Sequence, residues 1–381
     1  MDSLPRCVLV TCFAKEQPGY LDFSYRIQSL ANQYRLTVIS TDFLNNEELK
    51  FDGVEYLVIP STEGKKGWLK YLWLCGVFIN KQKPDVVVLL HSAAAPIALM
   101  VDRKIPSAVY WNEHPTHTSP SIKGFHPIKN TLRAFTRWIM FAGARKANIV
   151  MPIGEAHYLD LLKHKCDKNH VQLIYMGVAN NFRNIALNHK PALSQPLDQI
   201  KIIYVGSVSK ARGRDVMLEA LKLVNAQKSI AHLTIVGASQ YELQYCQHYI
   251  FNAGLEDCVT VVGRVSGMEI PQYLQSADVG ICLWEDQPWW RFNPPTKLFE
   301  YLVAGLPVLA SDIATHTEYI ADWKNGMIFE YNSYSLAEAI KSISERKSEF
   351  SNLKIKASES GEKYLWSKIE PQFLQAIKRL S

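Results

Sequence analysis

Residues 200–214 read Ile200-Lys-Ile-Ile-Tyr204-Val-Gly206-Ser-Val-Ser-Lys210-Ala-Arg212-Gly213-Arg214, and the chain continues Asp-Val-Met-Leu-Glu-Ala-Leu-Lys to position 222. A β-branched run gives way, across a glycine turn, to a helical pattern, which is one βα unit of a parallel sheet. The alternation repeats outward. Downstream, 232–236, 259–262, 279–283, 307–310 and 326–329 read as strands; upstream, 8–12, 36–41, 54–59, 85–90, 107–110, 148–152 and 171–174 form an earlier series. Two such series predict an α/β protein of two Rossmann-like, doubly wound domains, with the carboxyl ends of both sets of strands facing one cleft.

Length agrees with two lobes. At about 150 residues per domain, 381 residues make two to three units. With 48% hydrophobic and 20% charged residues, the composition is globular and excludes collagen-like or disordered chains. The stretch Asn184 to Gln199 (NIALNHKPALSQPLDQ) carries two prolines and no apolar period. It predicts domains over 1–185 and 200–364 joined by a linker over 186–199. The closing helix, 365–381, places Ile369, Phe373, Ile377 and Leu380 on one face, expected to pack back toward the first domain.

The 42 Lys and Arg against 36 Asp and Glu leave a mild +6, suited to a phosphate-bearing ligand but too small to require one. Seven scattered cysteines without a CxxC pair argue for a reducing compartment and against a disulfide framework or zinc site. The apolar run Cys7 to Ala14 ends in Lys15-Glu16 and reads as a first strand, not a secretory signal. No run approaches the ~18 apolar residues of a membrane span. The expected location is cytoplasmic, soluble or peripheral on the inner face of the membrane.

Two segments carry chemistry. In the quoted loop, a glycine turn lets backbone amides approach an anion at a helix N-terminus, and Lys210, Arg212 and Arg214 can neutralise phosphate oxygens. An ordinary turn with solvated cations uses the same residues. The loop is neither GxxxxGK[ST] nor GxGxxG. The second segment is Asn293-Pro-Pro-Thr296-Lys297-Leu-Phe-Glu300-Tyr-Leu-Val-Ala-Gly305-Leu-Pro307. Prolines 294 and 295 and a Thr296 cap start a short helix, and Gly305 ends it. Lys297 and Glu300 are expected outward on one side, as a phosphate cation and a ribose acceptor or as a plain i,i+3 ion pair.

Segments 204–214 and 276–312 resemble the C-terminal half of GT-B glycosyltransferases, specifically the retaining family 4 (group 1) enzymes. Pro84 to His91, Val109 to His114 and Ala147 to Pro152 follow the order of that family's N-terminal landmarks. The resemblance implies a retaining, metal-independent hexosyltransferase of polysaccharide or lipopolysaccharide biosynthesis. It takes no cofactor, only a UDP- or GDP-type sugar donor, and its acceptor is a saccharide or lipid-linked saccharide. It also implies site residues. Gly206, Ser207, Arg212 and Gly213 match the phosphate loop, with Ser207 where arginine is usual; Lys297 faces the diphosphate and Glu300 the ribose. Gly19 and Arg264 are further donor candidates. His114 or Glu113 is implied near the transferred sugar, and Arg212 and Lys297 assist departure of the diphosphate. Phe292 stands where the first glutamate of E-x7-E belongs, which questions the usual recognition of donor sugar hydroxyls.

No Asp-x-Asp occurs, so metal-dependent GT-A chemistry is disfavoured and no metal ligand is proposed. Lys129, Arg133 and Arg137 recur every four residues beside an apolar face of Ile128, Leu132, Phe135 and Ile139. With Lys65-Lys66-Gly-Trp68-Leu-Lys70-Tyr-Leu-Trp73 they suit either an anionic membrane surface or a solvated face. No nucleic-acid module accompanies them. The competing functions are a GT-B-fold UDP-sugar epimerase and a degenerate transferase that only binds a nucleotide sugar or a partner.

Overall fold

A computed structural model describes residues 4–12, 20–41, 50–61, 64–118, 126–188 and 199–380. The chain divides into two compact units, Met1–Gly177 with Lys368–Ser381, and Val178–Ser367.

In the first unit, β1 (Arg6–Val10), β2 (Arg35–Ser40), β3 (Glu55–Val58), β4 (Val86–Leu89), β5 (Ser107–Trp111) and β6 (Ile149–Pro152) form a parallel sheet ordered β3-β2-β1-β4-β5-β6. Its helices are α1 (Tyr20–Ala31), α2 (Gly64–Gln82), α3 (Pro115–Thr118), α4 (Pro127–Lys146) and α5 (Glu155–Lys163), with a 3₁₀ helix at Ser92–Leu99. Every residue of β4, β5 and β6 is buried. That continuous apolar character is what strands covered on both faces require.

The second unit opens with α6 (Asn180–Asn188) and contains β7 (Ile200–Val205), β8 (Ala231–Ala238), β9 (Val259–Gly263), β10 (Val279–Cys282), β11 (Val308–Ser311) and β12 (Gly326–Phe329). They too are parallel, ordered β12-β11-β10-β7-β8-β9. Its further helices are α7 (Arg214–Asn225), α8 (Gln240–Ala253), α9 (Ile270–Gln275), α10 (Thr296–Val303), α11 (Ala314–Thr317), α12 (Ser333–Glu345) and α13 (Lys347–Gly361), before α14 (Trp366–Lys378). Both sheets share the doubly wound order 3-2-1-4-5-6, whose direction of winding reverses between β1 and β4 and between β7 and β10.

Three details differ from the sequence reading. The units divide at Gly177, not at 185, because backbone hydrogen bonds change sides there. Gly177 N–H donates to Asp22 in α1 (2.8 Å), whereas Val178 N–H donates to Tyr364 O (2.8 Å). The expected linker begins inside α6, where Phe182 and Ile185 are buried on α9 and α10; residues 189–198 lie outside those described. Residues 171–174 are not a strand. They follow the edge of β6 through one bridge, Val150 to Val171, and through Ile174 N–H to Pro152 O (2.9 Å).

α14 buries Ile369, Phe373, Ala376 and Ile377. From Lys368 onward it belongs to the first unit, where Phe373 meets the guanidinium of the buried Arg26 (4.8 Å). Among the described residues, no helix is long and apolar enough to cross a membrane.

Candidate functional site

β7 delivers its C-terminus to the point where the second sheet reverses its winding. Gly206 turns the chain there with φ +131°, its N–H donating to Val236 O (2.9 Å). A Cβ at Gly206 would lie 3.0 Å from Nζ of Lys297, so glycine leaves the space in which that ammonium sits. Lys297 is 9% exposed, and its Nζ lies 3.8 Å from the centre of the Tyr204 ring. The outward orientation expected for Lys297 is therefore corrected: the first turn of α10 points it inward, beneath the loop. Pro295, not Thr296, occupies the cap position, and no side chain caps the helix.

Glu300 follows one turn later and is half-buried. Surrounding protein atoms push its carboxyl up to about 7, opposed only by the charge of Lys297. Among the described residues the two form no ion pair, so the plain i,i+3 pair is not what this segment builds.

Lys210–Arg212 make one 3₁₀ turn before Gly213, whose φ of +76° and absent side chain let Leu283 approach; a Cβ would lie 2.4 Å from that leucine's Cδ1. Arg212 lies over the rings of Trp290 (4.3 Å) and Trp284 (5.1 Å). Burial lowers its pKa. Among the described residues no carboxylate pairs with Arg212 or Lys297. Arg214 contrasts with both: it is held by Asp215 (2.7 Å) and Glu242 (2.5 Å) and lies on Tyr245 (3.4 Å), so its charge is already neutralised. The first turn of α7 has no side-chain cap. Arg214 N–H donates to Ser209 O (3.2 Å), and the amides of Asp215 and Val216 that follow can join Arg212 and Lys297 as donors for an anion.

The other expected donor residues are placed differently. Ser207 is exposed and its carbonyl accepts the Tyr204 hydroxyl (2.8 Å). Arg264 is exposed just beyond β9, the edge strand next to β8. Gly19 lies outside the described residues.

The indoles and their support are site features that the sequence reading did not name. Trp284 and Trp290 stack at 4.6 Å. The Ser311 hydroxyl donates to Trp284 O (2.9 Å) and accepts from Trp284 N–H (2.9 Å), and Thr315 donates to Trp290 O (2.8 Å). Behind Trp284, fully buried His316 gives Nδ1–H to Ser311 O (3.0 Å) and turns Nε2 to Cys282 Sγ (3.4 Å). Burial pushes this imidazole down to about 4, with Lys297 adding to the effect, so it is neutral. The signal available was three tryptophans within 284–290.

In the first unit, His91 accepts Ala93 N–H at Nδ1 (2.9 Å), which leaves Nε2–H to donate to Glu113 (3.1 Å). His114 is arranged alike: Nδ1 accepts Thr116 N–H (3.1 Å) and Nε2 meets Asp160 (3.0 Å). Burial lowers the pKa of His114 and outweighs the opposing effect of Asp160. His114, expected near the transferred sugar, caps α3 and meets Asp160, with both ring nitrogens engaged. Glu113 is the more exposed of the two.

Residues 187–362 match the family described as glycosyl transferases group 1. The match covers a little under half of the chain. The group 1 region thus spans the loop after β7, the indoles, α10 and its Lys297 and Glu300. The amylovoran biosynthesis glycosyltransferase AmsK of Erwinia amylovora is 28% identical over 165 residues, 43% of this chain and 39% of that protein. Spore coat protein SA of Bacillus subtilis (strain 168) is 26% identical over 189 residues, 47% of this chain and 48% of that protein. The chain therefore matches less than half the length of either relative. Among solved structures, Anabaena Alr3699/HepE in complex with UDP has a TM-score of 0.75 at 14% identity, covering 98% of this chain and all of that one (100%). WaaG, a glycosyltransferase involved in lipopolysaccharide biosynthesis, has 0.71 at 15%, covering 97% and 99%. Around the group 1 region, the whole chain has the GT-B fold of two Rossmann-like units.

Proposed function

We propose that the protein is a retaining glycosyltransferase that moves a sugar from a nucleoside diphosphate donor to a saccharide or lipid-linked acceptor in cell-surface glycan synthesis. One observation carries this reading. Arg212 and Lys297, cations without a carboxylate partner among the described residues, stand with the uncapped α7 amides where β7 ends, and Glu300 is one turn from Lys297. The cations and amides suit a diphosphate, and a carboxylate beside them suits the two hydroxyls of a ribose.

In the proposed reaction the acceptor hydroxyl attacks the anomeric carbon on the face from which the diphosphate leaves. The carbon–oxygen bond to phosphate breaks, and the hydroxyl proton passes to the departing phosphate oxygen. Arg212, Lys297 and the helix amides stabilise that leaving charge, a role that needs no metal ion. In the first unit, Glu113, oriented by the His91 ring N–H, is a carboxylate that can accept from a hydroxyl. HepE and WaaG, whose folds this chain shares, support the reading through UDP bound to the one and the activity of the other.

Calorimetry with UDP and GDP identifies the base, and Glu300→Ala should weaken that binding about tenfold to a hundredfold, as expected when two hydroxyl hydrogen bonds to a carboxylate are lost. Unchanged affinity in that variant sinks the assignment. Product formed from donor alone indicates an epimerase, and binding without transfer to a membrane extract indicates the degenerate binder.

A further inference from the structure

α4 presents two adjoining strips that the donor site does not use. Ile128, Leu132, Phe135 and Trp138 are exposed, Ile128 at 83% and Trp138 at 60%, and the last two stack at 5.9 Å. α2 adds exposed Leu69 and Trp73. Large apolar side chains grouped in water mark a surface that something covers.

Beside this strip the cations are not solvated in the ordinary way. Arg133 and Arg137 are half-buried, and Nη1 of Arg133 and Nε of Arg137 are sealed from solvent without a hydrogen-bond partner. No carboxylate pairs with either among the described residues. Lys65, at the start of α2, belongs to the same group: its pKa is lowered by burial first and then by Arg133 and Arg137. Three like charges, two of them with a desolvated and unpaired donor, are unfavourable in the free protein and become favourable around an anion with several acceptor oxygens.

We propose that Lys65, Arg133 and Arg137 bind the phosphate or diphosphate headgroup of an amphiphile whose hydrocarbon lies along Ile128, Leu132, Phe135 and Trp138. The occupant is chosen by charge and by contiguity: a soluble phosphate accounts for the cations but leaves the apolar strip uncovered, and a neutral lipid leaves the guanidiniums unpaired. That this amphiphile is the sugar acceptor rests on the glycosyltransferase reading; the headgroup site does not.

The test uses the full chain, without donor, sedimented with phosphatidylcholine vesicles with or without phosphatidic acid, alongside calorimetry with inorganic pyrophosphate. Wild-type protein should sediment with the anionic vesicles and not with the neutral ones. Losing two cations through R133Q/R137Q should weaken that binding roughly thirtyfold, and Lys65→Gln, on a different helix, roughly fivefold. Trp138→Ser should weaken vesicle binding and leave pyrophosphate binding unchanged. Equal sedimentation with both vesicle types, or undiminished binding by the arginine and lysine variants, overturns the site. Pyrophosphate binding without vesicle binding assigns the cations to a soluble anion and overturns the amphiphile. Circular dichroism melting curves of the same preparations report folding of the first unit, where all these variants lie, and a wild-type protein that fails to bind UDP or GDP bears on the donor reading alone.

Discussion

Glu300 sits among protein atoms that raise its carboxyl to about 7, so near neutrality the unliganded protein carries this group partly protonated. Hydroxyls that donate to a carboxylate favour its ionised form. Donor binding at Glu300 should therefore release a proton, up to about 0.5 per molecule near pH 7 and more as pH falls toward 6. Calorimetry in two buffers of different protonation enthalpy measures this directly. Glu300→Gln should abolish the release while keeping the shape of the site; the same release in both proteins places the titrating group elsewhere. Arg212 differs in kind. Its partners are the faces of Trp284 and Trp290, so the planar guanidinium is held in place while its charge stays available to an anion.

At the scale of the element, the loop after β7 depends on two glycines. Gly206→Ala adds a Cβ 3.0 Å from the Lys297 ammonium at a φ of +131°, and Gly213→Ala adds one 2.4 Å from Leu283 at +76°. Each should cost about 1–3 kcal/mol of stability, a fall of roughly 2–10 °C in the melting temperature of the second unit. Gly206→Ala should also displace Lys297 and weaken donor binding beyond what the loss of stability predicts. Melting curves with and without UDP or GDP separate the two effects. The strands of both sheets were legible because buried parallel strands are continuous apolar runs bounded by turns. α6 was not, because its buried Phe182 and Ile185 stand in a short, asparagine-rich stretch that runs into the proline-bearing residues read as a linker. The site was half legible. Glycine turns are local properties of sequence and marked the bends at Gly206 and Gly213, whereas the expected Thr296 cap and outward Lys297 are not what α10 builds. Pairings between distant residues are not local. Arg214 reads as one of three phosphate cations, yet Glu242, 28 positions away, pairs with it, and nothing near His114 in the sequence announces its bond to Asp160, 46 positions away.

For the whole molecule, the pH dependence of folding pits two buried groups of the second unit against each other. Glu300, raised to about 7, stays protonated in the folded state while the unfolded chain ionises above about 4.5, so stability falls as pH rises through that window. His316, lowered to about 4, stays neutral when folded while the unfolded chain takes up a proton below about 6.5, so stability falls as pH drops. Each effect reaches at most about 3 kcal/mol at 1.36 kcal/mol per pKa unit. Between about pH 4.5 and 6.5 the two largely cancel, and wild-type protein should show little net slope from this pair. Single substitutions expose the hidden terms. Glu300→Gln should lose stability on acidification more steeply than wild type, because only the histidine slope remains. His316→Asn should lose it less steeply, whatever its absolute stability, because only the carboxyl slope remains. Both groups report on one unfolding transition, since both lie in Val178–Ser367. Urea midpoints at about pH 5, 6 and 7 for the three proteins measure the slopes. The two variants should diverge from wild type in opposite directions, and parallel profiles would show that neither group changes its proton affinity on folding.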